Sequence, residues 1–95
     1  MYYRVFLTEE AQFDLREAYL YYEQKNAGLG DRFLSQVEEQ LSILSKHPEY
    51  YSFIDLNSTL RDVAISKFPF VIIYMIKERE IIIHAVLATK KRPKY

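Results

Sequence analysis

The chain has 95 residues, with 13 Lys and Arg against 13 Asp and Glu, 49% apolar residues, 9 Tyr, 6 Phe and no Cys. Such a chain supplies one domain, residues 1–95, with one modest core, and it is too apolar to be disordered. The lack of Cys excludes disulfides and thiolate metal ligands. With no signal-peptide core and no apolar run of bilayer length, a soluble cytoplasmic protein is expected.

Residues 2–7, YYRVFL, are β-branched and aromatic, and predict a strand. Thr8 offers a hydroxyl N-cap, and Glu9 and Glu10 set negative charge on the first helical turn, where the dipole favours it. Ala11, Leu15, Ala18 and Tyr22, with Tyr19 beside them, form one face of a helix that runs to about Lys25 and stops at NAGLG. A second helix begins near residues 29–31. Phe33, Val37, Leu41 and Leu44 are its apolar stripe, widened by Leu34, and Pro48 forces its end. The short link between the helices predicts an antiparallel hairpin.

Residues 48–58 read as a loop. Tyr51, Phe53 and Ile54 either pin it to the body or belong to an exposed recognition loop. Three strands follow. Residues 59–67 alternate, with Arg61, Val63, Ile65 and Lys67 on one face. Residues 69–76 are apolar on both faces, as in a central strand, and Pro69 suits a strand entrance. Residues 71–77 and 80–87 form a hairpin, and the lack of Gly in KERE predicts a loop longer than the tightest turns. The expected fold is α+β in the order β-α-α-β-β-β, a mainly antiparallel sheet packed against an N-terminal helical hairpin.

Charge divides unevenly along this order. Residues 1–50 hold five Lys and Arg against nine Asp and Glu, a net of −4, and residues 51–95 hold eight against four, a net of +4. A basic face near the C-terminal half is one reading, and a chance spread of solvated charge is the other.

The ordered set AQFDLREAYLYY, LGDRFLSQVEEQLSILSKHP, LRDVAISKFPFVIIYMI and EIIIHAVLATKKRP resembles the RelE/ParE superfamily, the toxins of type II toxin–antitoxin pairs. The FPF…Y segment is more similar to the ParE branch, whose members poison DNA gyrase, than to the ribosome-dependent RelE nucleases. The resemblance implies a cognate antitoxin and DNA gyrase as partners, with the ribosome and mRNA as the alternative targets. A non-toxic relative that keeps antitoxin binding is a third possibility. No specific DNA binding by the toxin alone, no membrane contact and no cofactor are expected.

The partner-binding candidates are Arg61, Phe68, Phe70, Lys90, Lys91 and Arg92. If the chain were a nuclease, a base, an acid and cations for the phosphorane charge would have to come from Arg61, Lys90, Lys91, Arg92 and Tyr95. Many members of the superfamily carry His where this chain has Ala88, which cannot move protons. His84 lies four residues earlier, on the strand face of Ile82 and Val86 by simple alternation, where a packed structural role is the simpler reading. Arg61 divides evenly between a functional role and a structural pairing with Asp62, Asp55 or Glu17. No Gly-rich phosphate loop exists, and His47 and His84 have no ligand partners at metal-binding spacing. The antitoxin is expected to add an extended acidic segment to an uncovered sheet edge and to cover the basic tail.

Overall fold

The computed structural model describes residues 2–89. In chain order they form β1 (Arg4–Leu7), α1 (Glu9–Lys25), α2 (Leu29–Lys46), a single 3-10 turn (Pro48–Tyr50), β2 (Arg61–Ala64), β3 (Phe70–Lys77) and β4 (Glu80–Ala88). The strands lie in the order β1-β4-β3-β2, with β1 parallel to β4 and the other pairs antiparallel. The expected β-α-α-β-β-β order is therefore present, with the helical hairpin packed on one face of the sheet.

Local chemistry explains the hairpin. The Thr8 hydroxyl accepts the Ala11 N–H at 3.1 Å and starts α1. Ala11 and Ala18 are buried, and their small side chains let α1 lie close to the strands. Asn26 ends α1, and Gly28 takes the left-handed φ of 90° that starts α2. Glu23 then reaches from α1, and its carboxylate accepts the N–H groups of Gly28 and Gly30, each at 2.9 Å. One side chain of the first helix thus caps the second, with its negative charge at a helix N-terminus. At Gly30 the two helices touch: a Cβ there would lie 2.8 Å from the Tyr19 carbonyl oxygen.

Between hairpin and sheet, Phe33, Val37 and Leu44 of α2 meet Val63, Ile72, Tyr74, Ile81, Ile83 and Val86 in one core. β3 sits between β4 and β2, and Val71 and Ile73, on its face away from that core cluster, are also buried. The doubly apolar pattern of residues 69–76 is accounted for by this central place.

Three local expectations are corrected. The first and second strands are shorter than 2–7 and 59–67. At the second, the Leu60 N–H goes to the Ser58 hydroxyl at 2.8 Å, and Lys67 adopts a φ of 72°, so turns take both ends. The β3–β4 hairpin closes with two residues, Glu78 and Arg79, not with a longer loop, because Glu78 accepts a φ of 58° without being Gly. The third correction is a β-bulge. Ile73 faces Ala85 while Tyr74 faces Ile83, so His84 has no residue opposite it. The extra residue reverses the alternation, and Val86 joins Ile81 and Ile83 in the core instead of sharing the face of His84. The buried His84 Nε2 has no hydrogen-bond partner among the described residues.

Candidate partner-binding surfaces

Arg61 opens β2, opposite Tyr74. Its guanidinium donates to the carbonyl of Tyr51 at 2.5 Å and, more weakly, to that of Glu49 at 3.5 Å, and it stacks 3.9 Å from the Phe53 ring centroid. Beside it, the Tyr74 hydroxyl donates to the Pro48 carbonyl at 2.7 Å. Burial of Tyr74 pushes its phenol up to about 12, against a smaller opposing effect of the Arg61 charge. Phe53 bridges to Arg61 across the outer edge of β2, and the Ile54 N–H reaches the Leu60 carbonyl at 2.8 Å. Together these contacts clamp residues 48–54 onto the sheet. The loop is pinned as one of its two readings expected, yet Tyr50 and Leu56 are exposed.

Phe68 and Phe70 join Tyr22 and Phe33 in a four-ring cluster. Tyr22 and Phe68 lie 4.9 Å apart, Phe33 and Phe68 5.2 Å, and Phe33 and Phe70 5.0 Å, mostly edge to face. Both rings therefore tie the β3 entrance to the helical hairpin, and Phe70 also reaches the wall of a groove described next. Lys90, Lys91, Arg92 and Tyr95 lie outside the described residues.

A second surface opens at the other side of the sheet. β1 pairs with β4 only from Glu80 to Ile83, so the outer edge of β4 beyond that point has no strand beside it among the described residues. Here α1 takes over. Thr8 uses its N–H on the Ile83 carbonyl and its hydroxyl on that of His84, at 3.1 and 3.3 Å. One and a half turns later Asp14 accepts the Val86 N–H at 3.0 Å, in the place of a strand carbonyl. A groove of about 490 Å³ lies between α1 and the end of β4, with Phe13, Asp14, Glu17 and Tyr21 on one wall and Phe70 and Leu87 on the other.

The α1 wall of this groove was not among the candidates read from the sequence. A signal was present. Phe13, Glu17 and Tyr21 recur at four-residue steps along the flank of α1 beside the face that buries Ala11 and Ala18, and two large exposed rings there call for a reason.

Comparison with known proteins follows the same lines. The family described as the ParE toxin of the type II toxin–antitoxin system, parDE, matches residues 5–93. Among solved structures, the chain is similar to one from a chromosomal ParDE system of P. aeruginosa, with a TM-score of 0.78 and 19% identity over 88% of this chain and 92% of that one. It is also similar to a chain of the RelBE2 toxin–antitoxin complex of Mycobacterium tuberculosis, with a TM-score of 0.67 and 20% identity over 90% and 96% of the two chains. A copper-bound mutant toxin from Helicobacter pylori aligns with a TM-score of 0.62 and 16% identity over 94% and 97%. No curated protein matches the sequence. At these identities the solved structures speak for the fold, and the family match over nearly the whole length speaks for the lineage: this chain belongs to the ParE toxins of type II toxin–antitoxin systems.

Proposed function

We propose that the protein acts in the cytoplasm as a ParE-like toxin that inhibits DNA gyrase by binding it, and that a cognate antitoxin neutralises it. The observation that carries the contact-type reading is the use made of Arg61. A guanidinium held by two backbone carbonyls and one aromatic ring serves the loop, and a catalytic cation would need its donors turned toward a phosphorane. Ala88, in place of a proton-moving His, supports the same reading. The antitoxin finds support in the family and in the similar chain from a RelBE2 toxin–antitoxin complex.

Controlled expression tests the reading. Induction should arrest growth, and co-expression of the protein encoded by the adjoining reading frame should restore it. Normal growth on induction would favour a relative that keeps the fold without toxicity. Codon-positioned cuts in translated message, seen by primer extension, would replace gyrase with the ribosome.

A further inference from the structure

The groove between α1 and β4 has three properties that restrict what can fill it. The first is an edge with no strand beside it among the described residues. Val86 points its N–H outward to the Asp14 carboxylate, and Ala88, two residues on, shares that edge by the alternation of a strand. The second is exposed aromatic surface. Phe13 and Tyr21 are 55% and 54% exposed, facing Phe70 and Leu87 across the gap. The third is sign. Asp14 and Glu17 line the groove, and Glu10, four residues before Asp14 on the same helical face, extends the acidic stripe.

We propose that the antitoxin docks an extended segment in this groove, with an apolar side chain between Phe13 and Leu87 and a Lys or Arg against Asp14 and Glu17. The inference rests on the toxin–antitoxin reading and sharpens it. A wholly acidic segment, the kind expected for the basic tail, is repelled here, so the segment changes sign along its length. Asp14 has a double part. In the free protein its carboxylate stands in for a neighbouring strand and keeps the Val86 N–H paired. An incoming backbone carbonyl can take over that N–H, which releases Asp14 to meet the incoming cation. The acidic stripe also discriminates, because a partner with Asp or Glu at that position would leave like charges facing each other.

The test measures binding of the full-length product of the adjoining reading frame to the wild-type chain, to Phe13→Ala and to Glu17→Lys. Both substituted residues are at the surface, and circular dichroism checks that each variant is folded. Each should weaken binding by about tenfold or more. Replacing the partner's groove-facing Lys or Arg by Glu should weaken binding to the wild type and restore it to Glu17→Lys. Binding of both variants within about twofold of wild type, while the wild type binds tightly, would overturn the groove and leave the antitoxin reading standing. A wild-type chain that does not bind that product at all overturns both. If sedimentation shows a wild-type dimer that Glu17→Lys disperses, the groove belongs to a second copy and the inference is wrong.

Discussion

The two sides of the sheet close their edges in different ways. At β2 the chain closes its own edge: Phe53 and Ile54 pair along it, Arg61 is consumed by loop carbonyls and a ring, and Tyr74 holds Pro48. Along the end of β4, where no strand lies beside it among the described residues, one carboxylate takes the Val86 N–H, and two large half-exposed rings flank it. Closure at the first side stabilises the monomer. The second side leaves Phe13 and Tyr21 about half exposed beside an edge held by a side chain. Arg61 is thus tied into the loop before it, while Phe13 stands half exposed on α1.

Substitutions separate the two sides by what they damage. The largest effect on stability is expected at Arg61. Arg61→Ala removes charge-assisted bonds to two carbonyls and the stacking on Phe53, and should cost about 2–4 kcal/mol in urea unfolding. Arg61→Lys should recover little of this, because an ammonium cannot bridge the carbonyls and stack at once. Tyr74→Phe should cost about 1–2 kcal/mol at pH 7. It also has a pH signature. The folded phenol titrates near 12 and the free one near 10, so its contribution is complete below pH 10 and is lost as pH rises toward 12. The gap between wild type and Tyr74→Phe should therefore narrow between pH 10 and 11.5, measured by urea unfolding at each pH. A constant gap would mean that the hydroxyl is not the group that matters.

His84→Leu should have a smaller effect of opposite sign. It removes a buried nitrogen that has no partner among the described residues and should raise stability by about 1 kcal/mol, seen as a higher Tm. Phe13→Ala and Glu17→Lys, on the open side, should stay within about 0.5 kcal/mol of wild type while they weaken antitoxin binding. A large loss of stability from either would erase the contrast between the two sides.

Much of this architecture was legible in the sequence, because the features that set it are local and periodic. The Thr8 cap, the Ala11 to Ala18 face, the break at Gly28 and the doubly apolar β3 each follow from residues close in the chain. Two features were not legible for a physical reason. The bulge at His84 depends on how β4 meets β3, and a single strand read alone gives no sign of an extra residue. The groove depends on β1 stopping at Leu7 while β4 continues to Ala88, a difference in length between strands more than seventy residues apart. Arg61 shows the same limit in another form. Its partners proved to be carbonyls of the loop before it, which sequence cannot distinguish from a nearby carboxylate.

A supercoiling assay with purified gyrase tests most directly whether this toxin acts by contact. Micromolar wild-type protein should block supercoiling of relaxed plasmid, and the antitoxin should restore it. Unimpaired supercoiling by gyrase in the presence of folded toxin that still arrests growth would contradict the account.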